Sequence, residues 1–163
     1  MVAEHGEERL ILLSCDPGNI QSAFCLYNTV KKLPIEFCTL QNDEVLLISA
    51  FRRAKAFVIE KVACYGMPVG ETVFETVYWS GRFAEQWDTD WTSANSFARI
   101  TRQEVKLHLC GQARAKDANV RQALIDRFGE KGTVKNKGVL YGIKADEWQA
   151  LAVAVAYSEI HKI

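Results

Sequence analysis

The chain has 163 residues, of which 48% are apolar and 25% charged, and its 20 basic side chains balance 20 acidic ones. That is enough for one well-buried core and too little for two, so a single domain over residues 1–163 is expected. Zero net charge excludes a uniformly basic nucleic-acid coat, and no apolar stretch has the length of a membrane span.

Met1 to Arg9 is charged where a signal peptide needs an apolar run, so a soluble, cytoplasmic protein is expected. Leu10 to Cys15 is a short continuous apolar run, the pattern of a strand buried on both faces, and it delivers Asp16 at its end. Pro17-Gly18 turns the chain into a second apolar run, Gln21 to Tyr27, which makes a hairpin. A carboxylate beside a strand core needs a partner or a cation, so Asp16 is the first candidate site residue.

Ile35 to Leu40 alternates as a third strand, and Asn42-Asp43 offers a cap for a helix running to Lys55. Ala56 to Glu60 repeats the earlier arrangement, a short apolar strand ending in an acid. The glycine-bearing connector Gly66 to Gly70 leads into an aromatic-rich helix from Glu71 to about Trp87, ended by the segment Asp88 to Thr92. Ser96 to Ile100 reads as a strand. Thr101 and Glu104 then have capping-box spacing for a helix from Arg102 to Leu109 that stops at Gly111.

Lys116 to Phe128 is a further helix, Glu130 to Ile143 a flexible loop, and Ala145 to His161 a final helix whose small residues let it lie close against a sheet. From Arg99 to Lys144 basic residues outnumber acids, which are Glu104, Asp117, Asp126 and Glu130 alone, so the charge is polarised. The five cysteines stand singly with no C-x-x-C pair, as reduced thiols do. The three histidines lack metal-ligand spacing, and no G-x-x-x-x-G-K loop is present.

Asp16, Glu60 and the pair Asp146 and Glu147 are thus acids adjoining apolar sequence. Converging carboxylates repel unless a divalent cation compensates, and oxygen-only ligands suit Mg²⁺ or Mn²⁺. Two such ions roughly 4 Å apart would serve phosphodiester hydrolysis. Bare spacing does not establish such a site, because acids at strand and helix ends are more often only caps.

Four ordered blocks carry more. Ser14-Cys15-Asp16-Pro17-Gly18, Val58 to Val62, Val105-Lys106 with Cys110 to Asp117, and Ala145-Asp146 with Ala150 to Ala154 resemble the RuvC-type Holliday-junction resolvases, most closely their phage-encoded branch. The resemblance implies a ribonuclease H-like α/β fold, with a mixed five-stranded sheet whose first three strands are antiparallel. It further implies a homodimer that nicks four-way or other branched DNA and leaves 5′-phosphates, in the cytoplasm of a bacterial cell or phage-infected host.

Residue by residue, the resemblance puts metal-binding carboxylates at Asp16, Glu60 and Asp146, with Glu147 as the alternative ligand. It puts basic residues near the phosphate at Lys106 and Lys116. The family's last aspartate is Gln149 here, and Lys116-Asp117 reverses the family's acid–lysine order. Arg102, Lys106, Arg114 and Lys116 are expected to contact DNA, and Tyr65 to wedge at the crossover. Two other readings are a junction-binding protein with a degenerate nuclease site, motivated by Gln149, and an actin-like ATPase-related domain, motivated by Asp16-Pro17-Gly18.

Overall fold

Ile11–Asp16 (β1) is the central strand of a five-stranded sheet in a computed structural model that describes residues 11–45, 53–90 and 96–163. Its neighbours are Gln21–Asn28 (β2) and Ala56–Lys61 (β4), and the edges are Leu33–Gln41 (β3) and Ser96–Thr101 (β5), giving the order β3-β2-β1-β4-β5. The first three strands are antiparallel, whereas β1, β4 and β5 run parallel. Pro34 is tolerated in β3 because an edge strand need not donate every backbone hydrogen bond.

Among the described residues five helices accompany the sheet: Asn42–Val45 (α1), Glu71–Asp90 (α2), Arg102–Cys110 (α3), Asp117–Phe128 (α4) and Glu147–His161 (α5). The period-2 alternation of β1 divides the core. Leu12 faces a cluster containing α5, Val105 of α3, and Val120 and Leu124 of α4; Leu13 and Cys15 face Phe83 and Trp87 of α2. Burial on both faces is what the continuous apolar run of β1 requires.

Helix α5 is buried all round over residues 147–156, so it reads as a core helix and not as an amphipathic one. Ala150, Ala152, Ala154 and Ala156 allow it to approach the sheet closely, and Ser14 Oγ in β1 donates to the Ala150 carbonyl at 2.7 Å. That bond fixes the first turn of α5 over the strand that carries Asp16. Truncating Leu151, fully buried on the same helix, to Ala would cost about 2–5 kcal/mol.

The turn after β1 is equally fixed. Asn42 Nδ2 donates to the Gly18 carbonyl at 2.9 Å, Ser22 Oγ donates to Asn42 Oδ1 at 2.7 Å, and Gly18 N–H donates to Ser22 Oγ at 3.1 Å. A Cβ on Gly18 would lie 2.2 Å from the Gln21 carbonyl oxygen, so glycine is required there.

The structure departs from the sequence expectations in three places. Strand β3 begins two residues before Ile35, and α2 runs through Asp90. The segment expected to be a flexible loop folds into a small hairpin closed by a bridge between Gly132 and Lys137. The charged segment Met1 to Arg9, most of the helix expected from Asn42 to Lys55, and Trp91-Thr92 lie outside the described residues. Among the described residues no helix is long and apolar enough to cross a membrane.

Candidate functional site

Strands β1 and β4 pair in the register Cys15↔Ile59, so the next residues along, Asp16 and Glu60, lie side by side on adjacent strands about 4.8 Å apart. Ser14 and Leu12, and Val58 on β4, set the parity, so both carboxylates face α5. Continuing across the sheet, Asp16 is opposite Ala23 and Ala23 opposite Thr39, while Glu60 is opposite Ile100. One row therefore reads Thr39, Ala23, Asp16, Glu60, Ile100, and the first turn of α5 crosses it.

Gln149 sits over the β4 end of that row, where its amide donates to Glu60 Oε2 in a very short hydrogen bond. Glu147 sits over the other end: its Oε1 accepts from Thr39 Oγ1 at 3.2 Å and its Oε2 from the Lys144 N–H at 3.0 Å. Glu147 is thus held on β3, and no contact joins it to Asp16 or Glu60 among the described residues. Asp146, the exposed residue capping α5, is close enough for its charge to act on Asp16. Ala145 just before it is left-handed at φ 43°, a strained entry into the helix.

Arg102 lies between the carboxylates. It is the first residue of α3, placed there by a capping box in which Glu104 N–H donates to Thr101 Oγ1 at 3.2 Å and Thr101 N–H donates to Glu104 Oε2 at 2.7 Å. From this position its Nε donates to Glu60 Oε1 at 2.9 Å, and its Nη2 stands 3.7 Å from Asp16 Oδ1. Both oxygens of Glu60 therefore accept from nitrogen donors.

Burial dominates the electrostatics. It pushes the Asp16 carboxyl up to about 8; the charge on Glu60 adds to the rise, and Arg102 only partly opposes it. Glu60 is also raised by burial, against the lowering effects of Arg102 and the Gln149 hydrogen bond. Arg102 is held above its ordinary range: burial works against its charge, and Glu60, Asp16 and Asp117 outweigh that.

The basic candidates fall around this pair. Lys106, one turn along α3, bonds to Asp117 at 3.0 Å, and Asp117 is itself felt by Asp16, Glu60 and Arg102. Arg114 and Lys116 are exposed on the connection between α3 and α4, with the Lys116 N–H donating to Asn119 Oδ1 at 3.0 Å. Tyr65 is 49% exposed at the tip of a tight turn, with Tyr65 and Gly66 both at positive φ and Met67 N–H bonded to the Cys64 carbonyl at 2.9 Å. A cleft of about 220 Å³ beside the carboxylates is lined by Arg102, Asp117, Arg121, Asp146, Trp148 and Gln149.

The structure therefore brings Asp16, Glu60, Asp146, Arg102 and Lys106 to one edge of the sheet. Sequence reasoning did not find Arg102 as the partner of the carboxylates. The pairing of Glu60 with Ile100, two residues before Arg102 at a capped helix start, brings the two together, and it is visible only in the structure. The donors facing the cleft are oxygens, which suit a hard divalent cation better than zinc. Among the described residues no three His, Cys, Asp or Glu side chains are gathered into a ready-made metal group, and Arg102 and Gln149 hold both oxygens of Glu60.

No family model and no curated protein matches the sequence. Among solved structures, the chain is similar to Thermus thermophilus RuvC, with a TM-score of 0.66 and 14% identity over 93% of this chain and 95% of that one. It is also similar to T. thermophilus RuvC in complex with a Holliday junction substrate, with a TM-score of 0.70 and 14% identity over 94% and 96%. The expected sheet, mixed and five-stranded with its first three strands antiparallel, is the one observed, and the chain has the ribonuclease H-like fold of RuvC.

Proposed function

We propose that this chain is a structure-selective endonuclease that hydrolyses phosphodiester bonds in four-way or otherwise branched DNA, leaving 5′-phosphates. The observation that carries the reading is the pairing of Asp16 and Glu60, side by side at the ends of parallel strands in a RuvC fold, beneath the first turn of α5. One of the two RuvC structures it is similar to is a complex with a Holliday junction substrate.

In this reading Asp16, Glu60 and Asp146 would hold one divalent cation, Mg²⁺ or Mn²⁺, after a rearrangement in which Arg102, whose side chain is 41% exposed, turns outward. A second ion would need a further carboxylate, and Gln149 offers an amide. Such a cation supplies Lewis-acid stabilisation of a phosphoryl oxygen and a more acidic water. The chain's own residues do the rest. The two strand-end carboxylates fix where the scissile phosphate is read. Lys106, released from Asp117, stabilises charge on that phosphate. Arg114 and Lys116 hold the backbone beside it, and Tyr65 is presented for stacking at an unpaired crossover base.

A homodimer is part of the reading. Phe74, Val77 and Tyr78 on α2 are all more than half exposed and form an apolar stripe that the sheet does not cover. A second reading, a junction-binding protein that does not cut, is favoured by Arg102 and Gln149 holding both oxygens of Glu60. Incubating purified protein with an end-labelled synthetic four-way junction and with matched duplex, with and without Mg²⁺ or Mn²⁺, separates the two. Metal-dependent nicks confined to the junction support the nuclease, and tight binding without nicks supports the second reading.

A further inference from the structure

Residues 131–138, between α4 and α5, fold into a hairpin that no core contact demands. The Gly138 N–H donates to the Lys131 carbonyl at 3.0 Å, the Thr133 N–H to the Asn136 carbonyl at 2.9 Å, and the Asn136 N–H to the Thr133 carbonyl at 3.1 Å. Two glycines make this closure possible. A Cβ on Gly132 would stand 2.3 Å from the Asn136 carbonyl oxygen, and one on Gly138 would stand 2.2 Å from that of Glu130. The backbone is therefore fixed, and it presents Lys131, Lys135 and Lys137, with Val134 76% exposed at its tip.

These lysines differ from Arg102 and Lys106 at the site. Arg102 and Lys106 are paired with carboxylates, whereas none of the three hairpin lysines forms an ion pair among the described residues. Two of them are placed by ring faces instead: Lys131 Nζ is 5.7 Å from the centroid of Trp148 and Lys137 Nζ is 4.9 Å from that of Tyr141. A cation–π contact orients an ammonium without cancelling its charge. Trp148 also carries the Arg121 guanidinium at 5.2 Å, and it adjoins Gln149, which is bonded to Glu60. The base of the hairpin is thereby tied to the rim of the carboxylate cleft.

Unpaired cations on a closed backbone turn beside a cleft suit a polyanion, and an apolar tip can lie against sugar or an open base step. We infer that the 131–138 hairpin, with Arg121, grips the sugar–phosphate backbone of the nucleic-acid arm flanking the strand held at Asp16 and Glu60. This rests on the reading of the chain as a branched-DNA enzyme. It adds a contact element that the charge pattern alone left as a loose loop.

The test is fluorescence-anisotropy binding of a labelled four-way junction across a salt series, by the full chain and by a Lys131→Gln/Lys135→Gln/Lys137→Gln variant. The variant is expected to bind roughly ten- to a hundredfold more weakly at physiological salt, with a log–log salt slope shallower by about 2–3. Lys135→Gln alone, which touches neither ring, should lower the slope by about 1 and gives an answer even where the triple variant fails to fold. Wild-type binding with unchanged affinity and slope in the variants overturns the hairpin assignment alone. Failure of the wild type to bind the junction overturns the functional reading and the hairpin assignment together.

Discussion

One guanidinium serves two carboxylates: Arg102 Nε donates to Glu60 at 2.9 Å while its Nη2 stands 3.7 Å from Asp16. Two mostly buried acids on adjacent strands repel each other, and in the absence of a metal Arg102 is the cation that compensates them. Arg102→Met removes that compensation. The metal-free variant should lose about 1–2 kcal/mol, or roughly 3–6 °C in melting temperature, the loss being limited by the exposure of the arginine. Added Mn²⁺ should then stabilise the variant more than it stabilises the wild type. Equal Mn²⁺ shifts in the two proteins would rule out competition between Arg102 and the ion.

The same pair sets a pH dependence. Asp16 titrates at about 8 in the folded protein against an ordinary 3.8, so the folded state keeps a proton that the unfolded chain releases. Through this group stability falls as pH rises from about 4 to about 8 and is level above that. Asp16→Asn abolishes the fall and relieves Glu60 as well. In metal-free thermal melts the variant should melt above wild type at pH 8 and converge with it near pH 4. Parallel profiles would show that Asp16 is not carrying the penalty.

Much of this site was legible in the sequence, and the reasons are physical. An unbroken apolar run ending in an acid occurs at both Asp16 and Glu60 because both strands are buried on two faces and emerge at one edge. The capping box at Thr101 and Glu104 is a local signal and appears as expected. Long-range pairings were not legible. Nothing local says that Arg102 turns back onto Glu60, nor that the first turn of α5 spreads across the row so that Glu147 reaches Thr39 while Gln149 reaches Glu60. The hairpin at 131–138 was read as flexible because glycine is ambiguous in sequence. Only the 2.2–2.3 Å approaches at Gly132 and Gly138 show that these glycines serve closure and not freedom.

Lys106 is 14% exposed and bonded to Asp117, whose own side chain is 70% exposed. An exposed carboxylate gives up its partner readily, so the lysine is available to a phosphate at little cost. Lys106→Ala should slow cleavage at saturating junction by on the order of a hundredfold while weakening binding only about twofold. Single-turnover nicking beside a binding titration separates these effects. Equal losses in rate and affinity would assign Lys106 to backbone contact alone.

The apolar stripe of α2 bears on assembly. Phe74 and Tyr78 are 64% and 56% exposed one turn apart, an arrangement that a second copy of the chain can cover. Sedimentation should give twice the 18.4 kDa chain mass, and Phe74→Glu should reduce it to the chain mass while leaving the circular-dichroism spectrum of the folded chain unchanged. A wild-type monomer at micromolar concentration, with and without DNA, would remove the dimer from the account.

The most direct test of the central claim is nicking of an end-labelled four-way junction by wild type and by Asp16→Asn in Mg²⁺, with junction binding measured in parallel. The account predicts nicks with 5′-phosphate ends from the wild type, none from Asp16→Asn, and junction binding retained by both. Nicking that persists in Asp16→Asn, or a wild type that binds the junction and never cuts it under Mg²⁺ or Mn²⁺, would contradict it.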